Sequence, residues 1–165
     1  MVLSAASLVE VERIKRLKYA YLRCLDQKRY DELRSLLTDD ATASYGGGRH
    51  AYDGADAIVA FIVDAMGDPA VHSSHRCHHP EIDLVSAQTA TGTWALEDTV
   101  IDTRFDVTIQ GAAFYEDRYQ KADGHWLISH TGYRRTFEEI FPRASIEGLR
   151  LTASWWFTDG RSELG

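Results

Sequence analysis

The sequence predicts a single α+β domain in which helices come first and a curved, mostly antiparallel sheet follows. Apolar residues recur at helical spacing in the first part of the 165-residue chain, and later segments alternate with a period of two. No internal repeat or Pro/Gly-rich linker divides the chain, and a chain of this length normally makes one domain. Helices followed by antiparallel strands pack on one face of the sheet. A pocket between the two layers is therefore expected.

Three helices are predicted before the long strands. In the first, apolar side chains recur at helical spacing from Leu8 to Leu25, and the polar residues that follow end the helix. A short helix is expected from Asp31 to Leu37, and a brief strand near Thr42 to Tyr45 ends at three glycines that mark a turn. The third helix is expected to begin with Asp53 as its capping residue and to stop at Gly67.

Four long strands are predicted in the remainder of the chain. They are expected at Val71 to Val85, with a break at Pro80, and at Thr89 to Asp102, Val107 to Lys121 and His125 to Phe137. The segment from Ala122 to Gly124 favours a hairpin turn between the last two strands. These strands would supply most of the sheet.

Composition and charge argue against several classes of function. The chain has 18 Lys plus Arg against 25 Asp plus Glu, and its formal net charge of −7 opposes binding to nucleic acid. No apolar run approaches the roughly 20 residues that cross a bilayer, and Met1 to Glu10 lacks the features of a signal peptide. No membrane partner is expected, and the expected location is cytoplasmic. Cys24 and Cys77 form no CxxC motif, so they indicate buried thiols rather than a disulfide framework or a structural zinc site.

A histidine-rich segment supplies the candidate general base. Residues 71–79 contain four of the seven histidines, and in a strand His75 and His79 lie on the less polar face. Alternate histidines could bind zinc, but no third ligand has a recognisable spacing, so no metal is expected. A histidine can accept a proton at neutral pH, and a carboxylate bonded to its other nitrogen fixes the tautomer. Asp26 is the candidate for that carboxylate.

Polar groups on predicted apolar faces are further candidates. Asp98 shares a strand face with Trp94, so its carboxylate is paired, protonated or exposed at an edge. Arg135 also points toward the apolar layer and is expected to pair with Asp98 or with an anionic substrate group. An ion pair that only holds the sheet to the helices is the structural alternative. For Tyr21 and Asp26, spacing alone favours a core role and a helix-end role. The aromatic side chains that could line a hydrophobic site are Phe61, Trp94, Phe114, Tyr115 and Tyr133.

Five segments of the chain carry a specific resemblance to a known family. They are Tyr21 to Asp26, His75 to Ile82, Thr89 to Asp98, Gly111 to Tyr115 and Gly132 to Glu139. Together they resemble the bile-acid 7-alpha-dehydratase family within the SnoaL-like group. That group shares the cone-shaped, cystatin-like fold of scytalone dehydratase, ketosteroid isomerase and nuclear transport factor two. The resemblance implies a SnoaL-like domain at residues 1–142 and a C-terminal extension at residues 143–165, which forms a lid, an extra strand or an oligomer contact.

The resemblance also implies a reaction and the residues that perform it. The reaction is elimination of water, without a cofactor, from a hydroxylated, carbonyl-activated hydrophobic substrate of the steroid or polyketide type. His75, held by Asp26, would remove the activated C–H proton, and Tyr21 with Asp98 would assist departure of the hydroxyl. The substrate-binding residues would be Arg135, Trp94, Phe114, Tyr115, Tyr133 and His78. His78 also matches the family sequence and is the weaker alternative to His75.

Two other functions remain open at this point. A double-bond isomerase begins with the same proton abstraction. A non-catalytic module would bind a small hydrophobic ligand or another protein, and it predicts that His75 and Asp26 lie apart or that aromatic side chains fill the cavity. His79 stands where many SnoaL-like proteins have asparagine, which alters the hydrogen bonding expected near the site. A homo-oligomer is expected, because the resembled dehydratases are trimers and other members of the fold are dimers.

Overall fold

The computed structural model describes residues 4–164, so Met1 to Leu3 of the predicted domain and Gly165 of the predicted C-terminal extension lie outside the described residues. The helices are α1 (Ala5–Asp26), α2 (Tyr30–Ser35) and α3 (Ala55–Met66). The strands are β1 (Leu37–Tyr45), β2 (His50–Asp53), β3 (Val71–Leu84), β4 (Thr89–Asp102), β5 (Val107–Ala122) and β6 (His125–Pro142). The four long strands and the order of the three helices agree with the prediction.

All six strands form one sheet in the order β2-β1-β6-β5-β4-β3. β3 to β6 form an antiparallel meander, and β1 and β2 form an antiparallel hairpin. The two units join where β1 pairs with β6 in parallel. The sheet stays open, with β2 and β3 at its edges, and register shifts in β3, β5 and β6 bend the long strands. The α+β class is confirmed.

The observed helix boundaries agree with the prediction for α1 and differ from it for α2 and α3. α1 begins after Ser4, whose side chain accepts a hydrogen bond from the Ser7 amide, and it ends at Asp26 as predicted. α2 stops at Ser35, because Leu37 already belongs to β1. The predicted cap of α3 is wrong: Asp53 is the last residue of β2, and Gly54, with a φ of 90°, makes the turn into the helix.

The strand β2 is missing from the prediction, and β1 is longer than predicted. β2 pairs with the end of β1 around the turn at Gly46–Gly48. Three of its four residues are exposed, so its sequence lacks the alternation of apolar and polar residues that marks a half-buried strand. The N-terminal part of β1 follows α2 directly, and the predicted short helix had covered its first residue, Leu37.

The core lies between the helices and the inner face of the sheet. Its largest fully buried side chains include Ile14, Leu33, Ile58, Trp94, Leu96 and Ile128. The outer face exposes apolar side chains from β5 and β6, among them Phe114, Phe137 and Ile140. No helix within residues 4–164 is long and apolar enough to cross a membrane.

The segment after β6 packs beside the open end of the helical layer. Residues 146–164 contain turns but no helix or strand. His72 and Ser154 form a side-chain hydrogen bond of 2.8 Å. The Lys28 ammonium lies 5.3 Å from the centre of the Trp156 ring. These contacts place the extension close to the end of α1.

Candidate active site

A cavity of about 130 Å³ lies between α1, α3 and the inner face of the sheet. Most of its wall is aliphatic or aromatic, and its polar groups are one imidazole and several phenol hydroxyls. The lining residues are Tyr21, Leu25, Tyr45, Phe61, Ile62, Ala65, Met66, His75, Tyr115 and Tyr133. An apolar pocket with a few polar groups that converge on it is the usual form of a small-molecule site.

His75 and Asp26 meet at the edge of this cavity. Asp26 is the last residue of α1, and His75 lies in β3, against which α1 packs. The distance from His75 Nδ1 to Asp26 Oδ1 is 2.6 Å, and the His75 amide donates to Asp26 Oδ2 over 2.9 Å. A carboxylate only accepts, so Nδ1 carries a hydrogen in this pair and Nε2 is left as the basic nitrogen. The predicted contact between Asp26 and His75 is confirmed.

Ser73 completes the set of groups that hold Asp26. Its hydroxyl donates to Asp26 Oδ1 over 2.8 Å. Burial works against ionisation of Asp26, but the hydrogen bonds from His75 and Ser73 outweigh it, and the pKa of Asp26 lies below its usual value. Asp26 is therefore ionised at neutral pH. The period-two pattern places Ser73 on the same strand face as His75, but a serine alone carries no sequence signal for this role.

Tyrosine hydroxyls form the other polar part of the cavity. Tyr21 and Tyr45 are bonded through their hydroxyl oxygens, which are 3.0 Å apart. Burial raises the pKa of Tyr21, Tyr45 and Tyr115 well above the usual value for tyrosine. These phenols therefore stay neutral and act as hydrogen-bond donors rather than acids. Tyr45 was not identified from the sequence, because its partner lies 24 residues away in another element.

Asp98 and Arg135 form an ion pair, as one of the sequence alternatives predicts. Arg135 Nη2 donates to Asp98 Oδ2 over 2.8 Å, and Nη1 donates to Oδ1. Burial works against the charge of Arg135, but its hydrogen bonds to Asp98 outweigh it and raise the pKa of Arg135. Neither residue lines the cavity. The predicted role of Asp98 in hydroxyl departure is not supported, because Asp98 does not line the cavity and its carboxylate is paired with Arg135.

Two of the predicted aromatic contacts are wrong. Phe114 is 50% exposed on the outer face of the sheet. The next residue of β5, Tyr115, points inward, and side chains of consecutive strand residues point to opposite faces. Trp94 is fully buried in the core, where its indole nitrogen donates to the Tyr119 hydroxyl over 2.8 Å. Tyr115 and Tyr133 do line the cavity.

The structure separates the histidines of β3. His78 lies three residues from His75, so its half-exposed side chain faces outward, 3.7 Å from Glu97. His79 has a φ of 48° and is exposed, because a bulge interrupts the strand next to Pro80. Neither side chain lines the cavity. Within residues 4–164, no three His, Cys, Asp or Glu side chains are arranged as a metal site requires.

Solved structures with the same fold include proteins named for elimination reactions. A scytalone dehydratase-like protein from Novosphingobium aromaticivorans is 24% identical, with a TM-score of 0.77 over 98% of this chain and 100% of that chain. A hexachlorocyclohexane dehydrochlorinase from Novosphingobium barchaimii is 20% identical, with a TM-score of 0.74 over 87% of this chain and 94% of that chain. ActVI-ORFA from Streptomyces coelicolor is 15% identical, with a TM-score of 0.65 over 76% of this chain and 96% of that chain. At these identities the likeness concerns the fold alone.

The family follows from a direct match to the sequence. A model of the SnoaL-like domain matches residues 6–132, which include nearly all of α1, the other two helices, β1 to β5 and the first part of β6. The match contains both members of the Asp26–His75 pair. The protein is therefore a member of the SnoaL-like domain family, with the cone-shaped fold of nuclear transport factor two.

Proposed function

We propose that the protein is a cofactor-independent lyase that eliminates water from a small, carbonyl-activated hydrophobic substrate. The observation that carries the proposal is the His75–Asp26 contact of 2.6 Å at the wall of a largely apolar cavity. An imidazole fixed in one tautomer by a carboxylate is a general base for proton abstraction. Two of the proteins with similar folds are named for elimination reactions, one for loss of water and one for loss of hydrogen chloride.

The reaction follows from the groups around the cavity. His75 Nε2 takes the proton from the carbon next to the carbonyl group, and Asp26 stabilises the imidazolium that forms. The C–O bond then breaks as the double bond forms, and the hydroxyl leaves as water. Its proton comes from the imidazolium, because the buried phenols are donors of hydrogen bonds and poor acids. The hydrogen and the hydroxyl therefore leave from the same face of the substrate.

The size of the cavity favours a compact substrate. An apolar cavity of roughly 150 Å³ holds one benzene ring, and the cavity beside His75 measures about 130 Å³. The part of the substrate that reaches His75 is therefore about one ring in size. A monocyclic or bicyclic polyketide-type compound suits this volume better than the four fused rings of a steroid.

The proposal is tested by turnover of hydroxylated, carbonyl-containing one-ring and two-ring compounds, followed by absorbance of the conjugated product and by mass. We expect wild type to release one water, and Asp26→Asn and His75→Ala to lose about 10²- to 10⁴-fold in rate. His78→Ala is the matched control, since that histidine lies in the same strand and faces outward. Equal rates in wild type and His75→Ala would reject the proposal. A product of unchanged mass would instead indicate an isomerase, and binding without turnover a ligand-binding module.

A further inference from the structure

A buried ion pair that the proposed reaction does not use lies beneath the cavity. Lys18 of α1 and Asp117 of β5 have fully buried side chains, and Lys18 Nζ is 2.8 Å from Asp117 Oδ2. The same oxygen accepts a hydrogen bond of 2.8 Å from Tyr119. Taking two charges out of water is costly, and a buried pair often adds no net stability. A role other than stability is therefore worth seeking for this pair.

The Lys18 ammonium lies against a ring that forms part of the cavity wall. Its distance to the centre of the Tyr115 ring is 3.4 Å, and its distance to the Tyr21 ring is 5.0 Å. Tyr115 also lines the cavity and meets the Tyr133 ring edge to face, at 5.5 Å between centres. Within residues 4–164, Lys18 has no charged partner besides Asp117. The ion pair thus contacts the cavity wall at Tyr115.

The Tyr115 hydroxyl differs from those of Tyr21, Tyr45 and Tyr119. Tyr21 and Tyr45 bond each other, and Tyr119 bonds Asp117, whereas no side-chain hydrogen bond within residues 4–164 involves the Tyr115 hydroxyl. A buried tyrosine hydroxyl normally finds a partner, and a ligand oxygen in the cavity would supply one. A cation on the ring face draws electron density from the phenol and strengthens its O–H as a donor, more so in a buried site.

We propose that Tyr115 donates a hydrogen bond to the substrate oxygen on which negative charge develops, and that Lys18, held by Asp117, is its positioning residue. The proposal rests on proton abstraction by His75, which places charge on the adjacent carbonyl oxygen as an enolate forms. His75 and Tyr115 lie on strands separated by β4 and line one cavity, so one ring-sized substrate can contact both. A fixed donor at such an oxygen is a large contribution to catalysis. Tyr115 is then a further catalytic residue.

The test uses 4-nitrophenol, a one-ring phenol whose ionised form carries the oxygen charge of an enolate and differs in absorbance from the neutral form. We expect Tyr115→Phe to weaken binding of the ionised form by about 10- to 100-fold, the range for a hydrogen bond to a charged group. Binding of the neutral form should change much less. Lys18→Met should weaken binding of the ionised form in the same direction. The double variant should bind no more weakly than Tyr115→Phe, because Lys18 acts through Tyr115.

Matched controls separate this effect from a general loss of structure. Lys15→Met changes a partly exposed lysine on the same helix, and Tyr30→Phe removes a buried hydroxyl that does not line the cavity; both should bind 4-nitrophenolate as wild type does. If Lys18→Met fails to fold because Asp117 is left unpaired, Lys18→Met/Asp117→Asn removes both charges and should show the same weakening.

Three results would overturn the inference. If Tyr115→Phe binds 4-nitrophenolate as tightly as wild type does, Tyr115 does not donate a hydrogen bond to the charged oxygen. Additive losses in the double variant would show that Lys18 does not act through Tyr115, and wild-type affinity of a folded Lys18→Met/Asp117→Asn protein would show that the pair has no effect. The binding measurement requires no turnover, so its result is independent of the activity test of the proposed function. The Tyr115 inference can fail even if His75→Ala abolishes activity, and it can hold even if His75→Ala leaves activity unchanged.

Discussion

Replacing Arg135 with methionine should destabilise the protein far more than the same replacement at Arg134. The Arg135 guanidinium donates to both oxygens of Asp98, whose side chain is only 4% exposed. Methionine keeps most of the aliphatic volume of arginine but cannot donate. The Asp98 carboxylate would then be buried without a partner.

The expected loss follows from that stranded charge. Removing one partner of a buried ion pair costs about 3–5 kcal/mol. The second contact of Arg135, to the half-exposed Glu138, adds about 0–1 kcal/mol at most. Since each 1 kcal/mol lowers the melting temperature of a domain of this size by about 2–4 °C, Arg135→Met should melt roughly 6–24 °C below wild type.

Urea unfolding followed by circular dichroism measures this loss. Arg134→Met is the matched control, because Arg134 is exposed and makes no ion pair within residues 4–164, and it should stay within about 0.5 kcal/mol of wild type. Asp98→Asn combined with Arg135→Met should recover most of the stability, since no charge is then stranded. A loss below about 1 kcal/mol for Arg135→Met, or no recovery in the double variant, would refute this reasoning.

Three further predictions concern other groups. The pKa of Asp26 is lower in the folded protein than in the unfolded chain. The ionised carboxylate therefore stabilises the fold above about pH 4, and this stabilisation is lost as the pH falls through the folded-state pKa. Comparing the free energies of unfolding of wild type and Asp26→Asn across acid pH measures the loss. Burial raises the pKa of Cys77 to about 11 and also raises that of Cys24, so both thiols should react slowly with a thiol reagent until urea unfolds the chain. Gly111→Ala should cost about 1–3 kcal/mol in a thermal melt, since its Cβ would lie 2.5 Å from the Phe137 carbonyl oxygen.

Each of these has a clear contrary result. Parallel acid-unfolding profiles for wild type and Asp26→Asn would show that the folded protein does not favour the ionised carboxylate. Fast reaction of either thiol in the native protein would contradict its burial. An unchanged melting temperature for Gly111→Ala would show that β6 shifts away from β5 at no cost.

Local sequence predicts the long strands well because their pattern is repeated many times. β3 to β6 each have at least 14 residues between turns, and burial alternates through most of β4 and β5. The hairpin at Asp123 and Gly124, both at positive φ, is the turn that the sequence favours. β2 has four mostly exposed residues, and the parallel pairing of β1 with β6 depends on tertiary contacts alone. No local pattern carries either feature.

The site could be predicted in part for the same reason. The face of β3 and the end of α1 indicated His75 and Asp26, and the structure brings them together. Neighbouring residues of a strand face opposite sides of the sheet, so Phe114 and Tyr115 cannot both line the cavity. The prediction of Phe114 as a cavity residue did not apply this rule. Tyr45 and Lys18 escaped notice because a tyrosine or a lysine has no distinctive pattern. Their roles appear only when distant elements meet.

The position of β6 in the sheet constrains the order in which the protein can fold. β6 follows all other strands in the chain, yet it joins the β1–β2 hairpin to the β3–β5 meander. Its side-chain contact from His130 to Thr42 spans 88 residues. Before β6 is available, the two units have open edges that can pair with other chains. Long-range closure of this kind folds slowly. During synthesis Asp26 and His75 leave the ribosome well before β6, but the cavity wall at Tyr133 and the joined sheet form only after β6 has been made.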